Sequence, residues 1–108
     1  MAAKSLYIDF DGTIHKYSKG YADGAIYDPP MENAITSLIR LRDAGFTLTI
    51  FTARDNMEDI EEWLIRYWPK GEPYFKIPVT NKKGPATAYI DDRAIRFTNW
   101  IDITNYFV

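Results

Sequence analysis

In the stretch YIDFDGTIH, Tyr7–His15, two carboxylates stand one residue apart where an apolar run stops, and Gly-Thr follows them. Side chains alternate along a strand, so Asp9 and Asp11 set out on one side, and Gly12 permits the sharp departure that arches the second carboxylate over the first. Further along, FTLTIF runs into Thr52, Lys82 and Lys83 share a loop, and another apolar run ends in Asp91-Asp92. If these strand ends adjoin, three or four acidic groups gather in a space that a cation must neutralise. Hard oxygen donors, with no sulfur and no histidine in the cluster, favour Mg2+ over zinc. The Thr52 hydroxyl and the Lys83 charge suit a phosphoryl group. On this reading Asp9 attacks phosphorus to form an aspartyl-phosphate, while Asp11 protonates the leaving oxygen and later deprotonates the hydrolytic water. One carboxylate stays charged on the metal and its neighbour carries a proton, which gives the pairing a purpose.

These residues need a scaffold that delivers strand ends to one place. Ser5 to Phe10 reads as a buried strand bounded by Asp-Gly. Residues 14 to 30, with Gly20, Gly24 and Pro29-Pro30, read as an irregular excursion or small hairpin. Met31, Ala34, Ile35, Leu38 and Leu41 recur at helical spacing before Gly45, and Phe46 to Phe51 is β-branched and aromatic as a second strand should be. Asp55 and Glu58 make a capping-box pattern ahead of a stripe of Met57, Ile60, Leu64 and Tyr67/Trp68 that Pro69 ends. Tyr74 to Val79 and Ala86 to Ile90 read as further strands, and Ile95 to Trp100 as a last one before a short C-terminal segment. Strands separated by helices imply parallel pairing through crossovers, with ligands outside the carboxyl ends of the strands. The expectation is an α/β, three-layer, Rossmann-like parallel sheet flanked by helices.

Bulk properties narrow the class. The 108 residues suit a single domain, 1–108, and the 46% apolar and 26% charged content is ordinary for a globular protein. No segment is apolar enough to cross a bilayer, and MAAKSLYIDFDG meets an aspartate before a signal-type apolar stretch can form, so a cytoplasmic location is expected. Absence of cysteine removes disulfides and thiolate catalysis, and a net charge of −2 supplies no general attraction to nucleic acid.

DFDGT, an apolar strand ending in Thr52, Lys83 and YIDDR occur in the order and strand positions of the haloacid dehalogenase-like (HAD) phosphohydrolases, which the chain resembles over nearly its whole length. The resemblance implies Asp9 as nucleophile and Asp11 as general acid/base. It implies Gly12, Thr52 and Lys83 around the phosphate, with Lys82 as the alternative lysine. It also implies Asp91, the Asp11 carbonyl and Asp92, directly or through water, as Mg2+ ligands. The resemblance further implies a helical turn and small hairpin flap after the first motif, at about 14–28; members with specificity caps carry larger insertions, so the likeness is to a minimal, uncapped member with no cap domain.

Each feature has a plainer reading. LYIDF-DG-TIHKY also suits a β-hairpin, Thr52 a strand residue, Asp91-Asp92 a turn and Lys82-Lys83 a solvated pair. His15 reads as an exposed flap residue without a role, and Arg54 and Arg93 read as surface salt-bridge partners rather than binders of a second anionic group. Trp63, Trp68 and Trp100 read as core or subunit contact. The leading function is hydrolysis of a small-molecule phosphomonoester, a sugar phosphate or nucleotide. A nucleic-acid end phosphatase, a receiver-like phospho-acceptor module and a purely binding domain are the alternatives. Receivers place their paired acids on the first strand and their acceptor on the third, whereas here the candidate nucleophile is on the first. Small size further suggests association into a homo-oligomer, with one chain helping to close another's open site.

Overall fold

A computed structural model describes residues 4–20, 24–82, 84, 88–91, 95–96 and 99–108. Strand β1 (Lys4–Asp9) leads through the 14–30 excursion to helix α1 (Ala34–Asp43), strand β2 (Phe46–Phe51) and helix α2 (Met57–Tyr67). Strands β3 (Val79–Thr80), β4 (Ala88–Asp91) and β5 (Ile95–Arg96) and helix α3 (Trp100–Phe107) follow. The strands form a parallel sheet of order β3-β2-β1-β4-β5, a Rossmann-like α/β arrangement. The chain builds outward from β1 on one side and then returns to build on the other, so the order reverses between β1 and β4.

Register follows from burial. Leu6, Ile8 and Phe10 alternate inward from the first strand, and Phe46, Leu48 and Ile50 do so from the second. Lys4 pairs with Phe46 and Asp9 with Phe51, while Ile8 pairs with Ile90. A slip by one residue would turn either apolar set out of the core, so the pattern itself pins the pairing. Helix α1 buries Ala34, Ile35, Leu38 and Leu41 and packs on β2 and α3, whereas α2 buries Ile60, Trp63 and Leu64 and contacts β3. No helix among the described residues is long and apolar enough to cross a membrane.

Three elements depart from the sequence expectation for local reasons. The Tyr74–Val79 strand shrinks to Val79–Thr80, because Lys76 takes a left-handed φ of 51° and Pro78 has no amide to give a ladder. Pro78 still contributes its carbonyl, which accepts the Ile50 amide at 2.8 Å. The Asp55–Glu58 capping box does not form: α2 starts after Asn56, which makes no side-chain cap and instead donates to Asp59 at 3.2 Å. The strand expected through Trp100 gives way to α3, because the Asn99 side chain caps the helix by accepting the Asp102 amide at 2.9 Å. Residues 86–87 and 97–98 of the expected strands lie outside the described residues.

Helix α3 reaches back to the first motif. Trp100 is fully buried, and its indole N–H donates to the Thr13 carbonyl at 2.7 Å. Trp100→Ala should therefore lower stability by about 3–5 kcal/mol, the usual loss for a large buried aromatic. Urea denaturation of Trp100→Ala and Trp100→Phe checks this, with the phenylalanine variant keeping most of the packing and losing the hydrogen bond. A change under 1 kcal/mol in Trp100→Ala would contradict the burial.

Candidate active site

The motif loop leaves β1 by a tight turn. The carbonyl of Phe10 accepts the amides of Ile14 and His15, each at 2.9 Å, and Gly12, at φ 81°, donates its amide to the His15 carbonyl at 2.8 Å. That left-handed φ suits glycine, which bears out the sharp departure expected after Asp11. The Phe10 amide donates to Asp9 Oδ1 at 3.0 Å, which fixes the aspartate at the strand end.

Beside it, Thr52 follows β2 and is buried, with its hydroxyl accepting the Arg54 amide at 3.0 Å. On the other side the ladder pairs Ile8 with Ile90, so the next residues along the two parallel strands are Asp9 and Asp91. The backbone thus sets Asp9 between the ends of β2 and β4. Lys82 is exposed, and its amide donates to Thr80 Oγ1 at 3.1 Å. Lys83, Asp92 and Arg93 lie outside the described residues. Among the described residues no three histidine or acidic side chains converge into a ready metal centre.

Asp11 differs most from its expected surroundings. Arg54 clamps it with both arms, Nε donating to Oδ2 at 2.8 Å and Nη2 to Oδ1 at 3.0 Å. His15 Nδ1 donates to Oδ1 at 2.8 Å, while His15 Nε2 accepts the Asp28 amide at 3.0 Å. Because Nε2 faces a donor, the ring proton that meets Asp11 is on Nδ1. The Arg54 guanidinium is held above its usual pKa, first by its hydrogen bonds to Asp11, with burial opposing.

Both residues correct the sequence expectation. His15 is fully buried, boxed by the rings of Phe10, Tyr17, Tyr27 and Trp63 at centroid distances of 5.2–5.7 Å. Arg54 is only 11% exposed, so its pair with Asp11 is an interior one. Position offered a clue to Arg54, two residues beyond Thr52 at a strand end already under scrutiny. His15 carries no comparable sign, since its burial depends on the return of the 14–30 excursion.

That excursion is tied at its base. Met31 donates its amide to the Ile14 carbonyl at 2.7 Å, Lys16 donates to the Pro29 carbonyl at 3.2 Å, and His15 bridges Pro30 in antiparallel fashion. Trp63 Nε1 donates to the Asp28 carbonyl at 3.0 Å, fastening the return limb to α2. Asp28 in turn accepts the Ser18 hydroxyl and amide at 2.6 and 2.7 Å, contacts that lower its pKa. A cavity of about 720 Å³ opens beside Asp11, bordered by Tyr17, Gly24, Arg54, Asn56 and Asp59.

The arrangement therefore offers a carboxylate at the central strand end, a neighbouring buried hydroxyl, and a second carboxylate held in a fixed pose over an open cavity. Comparison with known proteins adds no identity: no family model matches the chain, and neither a curated protein nor a solved structure matches it significantly.

Proposed function

We propose that the chain is a Mg2+-dependent phosphomonoester hydrolase of the HAD-like type, acting through an aspartyl-phosphate on Asp9. The observation that carries this reading is the position of Asp9. It ends the central strand of a parallel sheet, one register step past the Ile8–Ile90 pair and next to the β1/β4 reversal of strand order. Crevices at such reversals, outside the carboxyl ends, are where open α/β sheets bind ligands.

Asp9 attacks phosphorus in line and the leaving oxygen departs with a proton from Asp11, breaking one P–O bond as another forms. Water then attacks the acyl-phosphate, Asp11 takes its proton, and phosphate leaves Asp9 restored. Thr52 orients a phosphoryl oxygen through its hydroxyl, and Lys83, or Lys82, adds positive charge. Asp9, Asp91, Asp92 and the Asp11 carbonyl would hold the metal through oxygen ligands, a reading supported by Asp9 and Asp91 ending adjacent parallel strands. When bound, Mg2+ offsets the negative charge of the phosphoryl group and the aspartates.

The finer fold belongs to the same reading. Helices α1 and α3 would cover one face and α2 the other, giving three layers, and residues 14–28 would act as a flap over the site without a separate cap domain. The cavity beside Asp11, about 720 Å³ and lined by Asp11 and Arg54, would hold the leaving group.

Metal removal tests the proposal. Exhaustive chelation should reduce phosphate release from aryl and sugar phosphates to background, and added Mg2+ should restore it. Undiminished hydrolysis after chelation, or no hydrolysis of any phosphomonoester with Mg2+ present, would overturn the reading.

A further inference from the structure

Asp11 is held from two sides by side chains that the proposed reaction leaves unused. Arg54 spends Nε and Nη2 on the carboxylate and donates Nη1 to the Gly24 carbonyl at 2.5 Å, where Asn56 Nδ2 also donates at 3.1 Å. His15 joins the same carboxylate to the Asp28 amide. Gly24 and Asp28 both belong to the excursion after β1. The pose of Asp11 is thus set by where that excursion lies, and Arg54 and His15 are the connections.

We propose that Arg54 and His15 are positioning residues for Asp11, coupling the 14–30 excursion to proton transfer at the leaving oxygen; this rests on the phosphatase reading above. The geometry assigns different tasks to the two carboxylate oxygens. Among the described residues, Oδ1 receives both the His15 and the Arg54 Nη2 protons, whereas Oδ2 receives the Arg54 Nε proton alone. A carboxylate oxygen has two lone-pair directions, so Oδ1 is filled and Oδ2 keeps one for the proton in transit. The planar guanidinium fixes the carboxylate plane in a way that a lysine point charge cannot. The fully buried imidazole, held by its aromatic box, stops the carboxylate from rotating to exchange its oxygens.

Arg54 borders the cavity, but each of its three nitrogens already donates within the chain, two to Asp11 and one to the Gly24 carbonyl, so its main engagement is with Asp11 and the excursion. Loss of the clamp should therefore register in the chemical step rather than in binding. Misplacing a reacting group by about an ångström costs on the order of 10²-fold in rate.

A double-mutant cycle on the full chain with Mg2+ tests the role, using an aryl and an alkyl phosphate. Arg54→Lys should lower kcat by roughly 10- to 10²-fold, more for the alkyl than the aryl substrate, with KM held within about threefold. In the Asp11→Asn background the same change should have little further effect, because a positioning residue has nothing left to position. His15→Phe should lose kcat in the same pattern, and His15→Asn, whose amide can again donate to Asp11, should recover part of it. Independently of turnover, side-chain ¹⁵N spectra should show the His15 proton on Nδ1 and an Arg54 Nε–H signal that moves in Asp11→Asn. Equal losses on both substrates, full additivity with Asp11→Asn, or a rise in KM alone would overturn the positioning role while leaving an active parent as a phosphatase. An Arg54 signal indifferent to Asp11→Asn would overturn the contact itself. A parent inactive on every phosphomonoester would overturn the phosphatase reading, and this role with it.

Discussion

Asp9→Asn is expected to abolish phosphomonoester turnover, with a loss of about 10⁴-fold or more, the scale on which removal of a covalent nucleophile registers. The expectation rests on chemistry rather than on disturbance of the fold. Asparagine retains an Oδ1 that can accept the Phe10 amide, as Asp9 Oδ1 does at 3.0 Å, so that contact at the end of β1 is preserved. What would disappear, on the proposed mechanism, is the anionic oxygen that attacks phosphorus and a charged ligand of the metal. Phosphate release by the purified variant, beside a urea melt matching the parent's, checks both halves. Retention of a tenth of the parent rate would remove Asp9 from the role of nucleophile.

The next largest effect belongs to Asp11. Asp11→Asn leaves Asp9 in place but cannot carry a proton, and general acid–base catalysis contributes on the order of 10² to 10⁴ in rate. Substrate choice sharpens the expectation. An alkyl phosphate, whose leaving group needs protonation, should lose rate at the first step. An aryl phosphate needs little help in leaving, so it should still phosphorylate Asp9 and then stall when no base activates water. An initial burst followed by slow release is the kinetic signature. If Asp11→Asn turns over both substrates as fast as the parent, Asp11 is not the acid/base, and the clamp around it has another purpose.

How much of this was legible in the sequence depended on whether the cause was local. Strands β1 and β2 were plain because Ser5 to Phe10 is a short apolar run bounded by Asp-Gly, and Phe46 to Phe51 is rich in β-branched and aromatic residues. Helix α1 could be read from the Ala34, Ile35, Leu38 and Leu41 stripe, although the sequence pattern started it at Met31, ahead of its first turn. The strand at Tyr74–Val79 misled because its aromatic and β-branched content outweighed Pro78, and nothing local predicts a left-handed Lys76. Helix α3 was within reach, since Asn99 followed three residues later by Asp102 is an N-terminal helix signal.

The site divides in the same way. Asp9, Gly12 and Thr52 could be placed at strand ends because each closes or follows an apolar run. The contacts that hold Asp11 could not be read, because they depend on tertiary closure. Arg54 meets Asp11 across 43 positions, and the Asp28 amide that fixes the His15 ring comes from 13 positions away. No periodicity records such contacts.

The most direct test of the aspartyl-phosphate is to catch it. Asp11→Asn would be mixed with an excess of an aryl phosphate and Mg2+, quenched in acid within milliseconds to seconds, and analysed by intact mass and peptide mapping. A hydroxylamine-labile phosphoryl group on Asp9, one per chain and missing from Asp9→Asn, is the predicted result. A parent enzyme that releases phosphate while Asp11→Asn never gains mass, or gains it at a residue other than Asp9, would contradict the covalent mechanism.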